Sequence, residues 1–192
     1  MRRLLIALLF GLSVACVLAL PSPAAADGDD DEELPAALGY QSLLIGLNQV
    51  PPVASIGRGL ASYLITQDTG NLVYTLQVLD ISSPISMAHI HLGRAGENGD
   101  VVANLCGAGS APACVTAGVV ATGTITSSSL VGPLAGHPLG DLIAAMSSGG
   151  AYTNVHSANF PNGEIRGQVR LVAAAGASDQ DHEDEDGDYD DD

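Results

Sequence analysis

Short segments in which apolar and polar side chains alternate run through the middle of this sequence. In NLVYTLQVL, residues 71–79, the pattern repeats every two residues, and one of the two resulting faces is more apolar than the other. A period of two places such side chains on one face of a β-strand. GLASYLIT precedes it with the same period, and the intervening QDTGN supplies the Asp, Gly and Asn that a hairpin loop favours. This pattern predicts an antiparallel hairpin.

Most of the remaining middle segments are also short and strand-like, with turn residues between them. Five further strands are predicted at SLLIGLN (42–48), SMAHIHL (86–92), DVVANL (100–105), GVVATGTIT (118–126) and AYTNVHS (151–157). Only LGDLIAAMSSGG, residues 139–150, has the spacing of a helix. Together with a last strand near residue 165, the sequence predicts an all-β fold, an antiparallel sandwich or barrel of about eight strands with one short helix.

The last predicted strand lies in GEIRGQVRL, residues 163–171. Alternation places Ile165 and Leu171 on a face toward the core and Glu164 and Arg166 on a face toward solvent. Two residues apart on one face, Glu164 and Arg166 are predicted to form an exposed structural ion pair worth no more than about 1 kcal/mol. The alternative is that the guanidinium lies near the histidines and guides a small anion toward them.

The first residues are typical of a targeting segment rather than of a folded element. Two arginines precede an apolar run from Leu4 to Leu20, and PSPAAAD then supplies the small residues of a secretory cleavage site. We therefore expect residues 1–26 to be a signal peptide and the protein to be secreted, either extracellular or periplasmic. No second apolar run of that length follows, so no transmembrane segment is predicted in the mature chain. A lipid-modified Cys16 is the alternative.

The formal charge of -16 is concentrated at the two ends of the predicted mature chain. Six of the 22 acidic residues lie in 27–33 and ten lie in 179–192, so residues 27–33 and 176–192 are predicted to be disordered acidic segments. Residues 34–175 form one predicted domain between them. The sequence has no lysine and no basic surface typical of nucleic-acid binding. The tail lacks the ligand pattern of a calcium loop, so only weak cation binding is expected there.

Cys106 and Cys114 are the two cysteines that remain after the predicted cleavage. In an exported protein, two thiols this close in sequence tend to be oxidised, so a Cys106–Cys114 disulfide is predicted. Such a bridge closes a loop of nine residues, which by chain entropy is worth about 2.5 kcal/mol. Two free buried thiols, or a metal site at these residues, are the alternatives.

Three of the five histidines lie in strand-like segments, His89 and His91 in HIH and His156 in NVH. Side chains at i and i+2 share one face of a strand, so His89 and His91 stand side by side. If the two strands are neighbours, or face each other across a barrel mouth, three imidazoles converge. Neutral imidazoles on rigid strands suit copper or zinc. The structural alternative is that these histidines hydrogen-bond loop backbone, or a carboxylate such as Glu164, and hold LGRAGENG in place.

The order of motifs resembles the CHRD domain family, a module named after chordin and common in secreted bacterial proteins. The resemblance runs from about Leu43 to Leu171 and rests on GLNQVPPVAS, GLASYLI, LVYTLQV, MAHIHLGRAGENGDVV and GGAYTNVHSANFPNGEIRGQV. It implies an immunoglobulin-like β-barrel distantly related to copper/zinc superoxide dismutases. Those enzymes also carry H-x-H on one strand and a further copper-binding histidine on a late strand, which His89, His91 and His156 resemble in order. The chain lacks an evident bridging histidine and a zinc-binding loop, which puts redox catalysis in doubt.

Two hypotheses for the function follow. The first is a secreted, non-enzymatic module that needs no cofactor and acts outside the cell or in its envelope, as a structural protein or by binding an unidentified extracellular protein or envelope component. The absence of an evident catalytic set in the sequence favours it. The second is a copper-binding protein, with dismutase-like or copper-handling activity, that uses His89, His91 and His156 as ligands.

Overall fold

The alternating segments form nine β-strands and one α-helix in a computed structural model of the protein, which describes residues 39–172. The elements, in chain order, are β1 (Gly39–Ile45), β2 (Arg58–Ile65), β3 (Leu72–Leu79), β4 (Ile85–Leu92), β5 (Val101–Cys106), β6 (Gly118–Ile125), α1 (Leu139–Ser147), β7 (Ala151–Ser157), β8 (Ile165–Gln168) and β9 (Arg170–Val172). The predicted signal peptide and both predicted acidic segments lie outside the described residues.

The strands follow one another around a nearly closed antiparallel barrel. Their order is β5-β4-β7-β8-β1-β2-β3-β6, and β9 pairs with the first half of β1. At the seam between β5 and β6, the Tyr74 hydroxyl donates to the Leu105 carbonyl at 2.6 Å, and the Val131 amide donates to the Val102 carbonyl at 2.9 Å. The prediction of an all-β fold with about eight strands and one short helix is confirmed, and the sheet has the form of a barrel.

Side chains that alternate along the strands fill the barrel. On β3 the burial alternates as predicted, with Leu72, Leu76 and Val78 inside. On β7 it does not alternate, because every residue of this strand is buried. Val155 on the inner face of β7 packs in the core, whereas the outer face is covered by loops. This covered outer face of β4, β7 and β8 carries the candidate site.

The first strand starts three residues earlier than the predicted 42–48 and ends at Ile45, where a turn of 3-10 helix follows. The Gly46 carbonyl accepts hydrogen bonds from the amides of Gln49, at 3.1 Å, and Val53, at 3.0 Å, which turns the chain away from the strand. A Cβ at Gly46 would lie 2.4 Å from the Val53 carbonyl oxygen, so this turn requires glycine. The strand therefore ends at Ile45, although the apolar sequence continues to Leu47.

The last predicted strand is divided into β8 and β9, and its predicted exposure is wrong. Glu164 and Arg166, which were expected to face solvent, are only 0 % and 1 % exposed, whereas Leu171, expected in the core, is half exposed. The expected ion pair is also absent, since the two side chains bind other groups within the described residues. Alternation shows which side chains share a face, but not whether a loop covers that face. Here a loop does.

Helix α1 packs against β7 and β9. Leu139, Leu142 and Met146 form its buried stripe, as the spacing predicts. The helix ends before the glycine pair, where Gly149 has a φ of +68° and the Gly150 amide donates to an earlier carbonyl. No helix within residues 39–172 is long and apolar enough to cross a bilayer.

The predicted disulfide between Cys106 and Cys114 is confirmed. The two sulfur atoms are 2.01 Å apart and the two Cα atoms 5.0 Å apart, which are ordinary values for the bond. Cys106 is the last residue of β5, so the bridge ties the start of the following loop to the edge of the sheet. A disulfide of this kind fits a protein of the extracellular space or the periplasm.

Candidate metal centre

The strands that carry HIH and NVH are neighbours, so the condition for convergence of the histidines is met. In the antiparallel pairing of β4 with β7, His89 lies opposite Asn154 and His91 lies opposite Tyr152. His156 lies one step further along the same face of β7. The three imidazoles therefore lie side by side on the outer face of the barrel rather than across its mouth.

His89, His91 and His156 form what we call the histidine cluster. One ring nitrogen from each lies within 4.8 Å of the other two. The shortest of the described contacts joins His89 Nδ1 to His156 Nε2, at 3.3 Å. Three nitrogens no more than 4.8 Å apart have a common centre at most about 2.8 Å from each of them, because the limiting distance is 4.8 Å divided by √3. For comparison, zinc binds imidazole nitrogen at roughly 2.0 to 2.1 Å. Side-chain movements of about an ångström or less therefore suffice for coordination.

Two backbone carbonyls fix the tautomers of His91 and His156. His91 Nδ1 donates to the Gly99 carbonyl at 2.9 Å, and His156 Nδ1 donates to the Pro161 carbonyl at 2.9 Å. A carbonyl oxygen only accepts, so each Nδ1 carries the proton and each Nε2 keeps its lone pair. This is the arrangement in which a metal-binding histidine is normally held, with the second nitrogen bonded to an acceptor.

The Nε2 atom of His91 has no hydrogen-bond partner although it is buried, and it is the one such side-chain atom among residues 39–172. A buried acceptor without a partner costs about 1 to 3 kcal/mol. A metal ion bound to the histidine cluster would use this lone pair and remove the cost. The donor set therefore fits a transition metal that accepts imidazole nitrogen.

Burial favours the neutral form of all three imidazoles. Burial, together with the neighbouring His156 and His91, lowers the pKa of His89 to about 4. Burial also lowers the pKa of His91 and of His156, and the hydrogen bonds to Gly99 and Pro161 only partly oppose it. A neutral imidazole is the form that binds metal, because its lone pair is free. The histidine cluster therefore carries no positive charge that would repel a cation.

The loop 93–100, which joins β4 to β5, is shaped around His91. The carbonyl of Gly99 accepts from His91, and its amide donates to the Tyr152 hydroxyl at 3.2 Å. A Cβ on Gly99 would lie only 1.9 Å from the Leu92 carbonyl oxygen. Glycine is therefore required for the loop to approach the strand this closely.

A second set of contacts holds His156. Its ring bonds to Pro161 in the loop 158–164 between β7 and β8, and the Asn154 amide donates to its Nε2 at 3.4 Å. Gln49 Nε2 donates in turn to Asn154 Oδ1 at 2.6 Å. Gly163, with a φ of +115°, passes so close that a Cβ would lie 2.6 Å from Asn154 Oδ1. The β1–β2 connection and the loop 158–164 thus both close over the outer face.

Arg166 binds the loop 93–100 and has no acidic partner among the described side chains. Its guanidinium donates to Asn98 Oδ1 at 3.1 Å, to the Arg94 carbonyl at 3.0 Å and to the Glu97 carbonyl at 2.6 Å. Its central carbon lies 3.4 Å from the centre of the Tyr152 ring. These contacts show a residue that holds a loop, and they give no support to the alternative of a free cation that attracts anions.

Glu164 is held by serine side chains rather than by a histidine or an arginine. It accepts hydrogen bonds from the hydroxyls of Ser55, at 2.7 Å, and of Ser157, and from both the hydroxyl and the amide of Ser82, at 2.8 and 2.9 Å. Burial raises its pKa, but these four hydrogen bonds outweigh the burial and hold the pKa below its usual range. Glu164 therefore ties three segments of chain together beside the histidine cluster.

Four residues around the cluster were not singled out from the sequence: Tyr152, Asn154, Gln49 and Gly99. The period of two along β7 places Tyr152 and Asn154 on the face of His156, and this signal identifies them. Gln49 is 105 residues from the asparagine that it binds, so no local pattern indicates it. Its role depends on the barrel topology alone.

These features define a class of protein, an antiparallel β-barrel in which loops cover three converging imidazoles on the outer face. The sequence matches the family model of the CHRD domain over residues 40–169, about two thirds of the chain. The chain therefore belongs to the CHRD domain family, as its motifs indicated. No curated protein and no solved structure matches the sequence.

Proposed function

We propose that this protein is a copper-binding module of the extracellular space or periplasm, and that His89, His91 and His156 supply the ligands. The single observation that carries the proposal is the buried Nε2 of His91, which has no hydrogen-bond partner among the described residues and belongs to a cluster in which one nitrogen of each imidazole lies within 4.8 Å of the others. A purely structural role for these histidines explains the bonds to Gly99 and Pro161. It does not explain an unpartnered buried nitrogen.

Copper is the preferred metal because the described donors are all imidazoles. Divalent copper binds nitrogen donors more strongly than the other divalent first-row metals do. Zinc also accepts imidazole ligands. When bound, copper would supply one-electron chemistry, and the chain's own residues orient the imidazoles and limit the access of water. The carbonyls of Gly99 and Pro161 would hold the rings of His91 and His156 in place.

The test is a metal titration of the mature chain, prepared with its disulfide intact. We expect one copper(II) per chain by metal analysis, with nitrogen hyperfine structure in the electron paramagnetic resonance spectrum. His89→Ala, His91→Ala and His156→Ala should each weaken binding at least tenfold. His137→Ala is the matched control, because His137 is exposed and pairs with Asp141 instead. Copper that is substoichiometric, or equally retained by all four variants, would contradict the proposal.

A second candidate function is binding of an extracellular protein or an envelope component without metal. The observation that favours it is a set of apolar side chains in and beside the β1–β2 connection, where Leu43 and Leu47 are each 71 % exposed and Ile56 is 84 % exposed. Exposed apolar residues of this size are common at protein interfaces. If the titration shows no histidine-dependent copper, this candidate becomes the better supported of the two.

A further inference from the structure

A three-layer stack lies directly behind one imidazole of the histidine cluster. The His91 and Tyr152 rings are parallel to within 7°, with their centroids 4.8 Å apart. The guanidinium of Arg166 covers the tyrosine ring, with its central carbon 3.4 Å from the centroid. Because Arg166, Tyr152 and His91 come from three adjacent strands, β8, β7 and β4, the sheet itself sets the order of the layers.

The stack is joined to the loop 93–100 at both ends. Arg166 donates to two carbonyls and one side chain of this loop, and the Tyr152 hydroxyl accepts from the Gly99 amide. The carbonyl of Gly99 then accepts from His91 Nδ1. His91 is thus fixed in two independent ways: stacking sets the plane of its ring, and the loop sets its rotation within that plane.

We infer that Tyr152 is a positioning residue for the metal centre, which keeps His91 in one tautomer with its Nε2 directed into the histidine cluster. The inference rests on the proposed function, because it assigns a role at the same site. Tyr152 contacts His91 and is not one of the three proposed ligands, so it acts through His91. Outer partners of metal-binding histidines typically change metal affinity about 10- to 100-fold when they are removed.

Two substitutions at Tyr152 separate the contributions of the ring and of the hydroxyl. Tyr152→Phe keeps the stack and removes only the acceptor for the Gly99 amide, so we expect copper(II) affinity to fall about 2- to 10-fold. Tyr152→Leu removes both, and we expect a loss of about 10- to 100-fold with altered copper hyperfine splittings. Tyr40→Leu is the control, because Tyr40 is equally buried but bonds to Ser147, away from the cluster.

A readout in the metal-free protein tests the inference without copper. In the wild type, nitrogen-15 shifts of the His91 ring should show a single tautomer with the proton on Nδ1. In Tyr152→Leu the ring should report a mixture of tautomers, and amide exchange at Gly99 should be faster. Tyr152→Phe should also show faster exchange at Gly99, which keeps the inference testable if the leucine variant does not fold.

The outcomes distinguish this inference from the proposed function. A wild-type protein without stoichiometric copper overturns the proposed function, while the tautomer and exchange measurements still decide whether Tyr152 positions His91. Unchanged tautomer, exchange and copper spectrum in both Tyr152 variants would overturn the inference while copper binding stands. An equal loss of affinity in Tyr40→Leu would also overturn it, because the effect would then be one of general stability.

Discussion

Two charged residues in one short motif, Glu164 and Arg166, are among the most buried side chains of the barrel, yet they do not bind each other. Each is surrounded by groups that match its own chemistry: hydroxyls and an amide around the carboxylate, carbonyls and a ring around the guanidinium. Burying a charge is tolerated when its hydrogen-bonding groups are satisfied in this way. The motif is therefore a pair of separate anchors for loops.

This arrangement predicts how stability responds to replacement of Glu164. Glu164→Gln removes the charge and replaces one carboxylate oxygen, which accepts two of the four hydrogen bonds, with an amide nitrogen that accepts none. The free energy of unfolding at pH 7 should therefore fall by about 2 to 3 kcal/mol. Urea unfolding at pH 7 measures this loss. Glu97→Gln is the control, since Glu97 is exposed, and it should change stability by less than about 0.5 kcal/mol.

The same carboxylate predicts a dependence on pH. Its pKa is lower in the folded protein than its ordinary value of 4.5. Its contribution is therefore complete above the pKa of the unfolded chain and is lost as the pH falls through the lower pKa of the folded protein. Unfolding measured between pH 5 and pH 3, at intervals of about half a unit, should show a decline that is shallower in Glu164→Gln. Identical profiles for the two proteins would show that Glu164 does not contribute.

Some contacts of the histidine cluster follow from the sequence and others do not. The spacing of His89 and His91 gives their common face directly, because neighbours at i and i+2 on a strand always share one. That Tyr152 lies opposite His91 depends on the register between β4 and β7, which is shifted by an irregularity between Ile85 and Met87. No local pattern encodes this register. The sequence therefore predicted that the imidazoles converge only if their two strands are neighbours. It did not predict the stack of the His91 and Tyr152 rings.

At the scale of elements, the loop 93–100 depends on the strand beside it. Gly99 lies against the backbone of β4 so closely that no side chain fits, and its carbonyl accepts a hydrogen bond from His91. Gly96, in the same loop, has a φ of +84° but has no atom within 4 Å of a Cβ added there. An alanine at Gly99 would therefore create a steric clash, whereas an alanine at Gly96 would only strain the backbone.

Gly99→Ala should displace the loop and break its bond to His91. We expect copper(II) affinity to fall about tenfold or more and amide exchange to increase through the loop. Gly96→Ala should cost about 1 kcal/mol of stability because of its positive φ, with copper affinity unchanged. Equal effects of the two substitutions on affinity would show that the close approach at Gly99 is not needed to orient His91.

The elements also show what alternation can and cannot predict. β3 follows the period of two because one of its faces is inside the barrel and the other is open. β7 has the same kind of sequence, but all seven of its residues are buried because the loops 93–100 and 158–164 fold back over it. A period identifies the two faces of a strand. What covers each face is decided by parts of the chain far away in sequence.

At the scale of the whole molecule, the disulfide and the histidine cluster are separate features. The bridge closes a loop at the edge of β5, whereas the cluster lies on the outer face of β4 and β7. Cys106→Ser with Cys114→Ser should lower the free energy of unfolding by about 2.5 kcal/mol without changing the copper stoichiometry of the folded protein. Denaturant unfolding and metal analysis measure the two quantities. Loss of copper from the folded double variant would contradict this separation.

The predicted domain limits lead to a further test. The barrel accounts for the described residues, so a chain of residues 34–175 should fold with the same unfolding midpoint as residues 27–192, within about 2 °C. It should also bind one copper ion. The acidic segments carry 16 of the 22 acidic residues, so the shorter chain should have a much higher isoelectric point. A large loss of stability on truncation would show that these segments contribute to the fold.

The imidazoles project away from the barrel interior, and replacing them removes no atom from the packed core. The residues that fill the core and the residues of the histidine cluster therefore lie on different faces of the same strands. Replacing one of these histidines therefore changes the contacts with the covering loops rather than the packing of the interior.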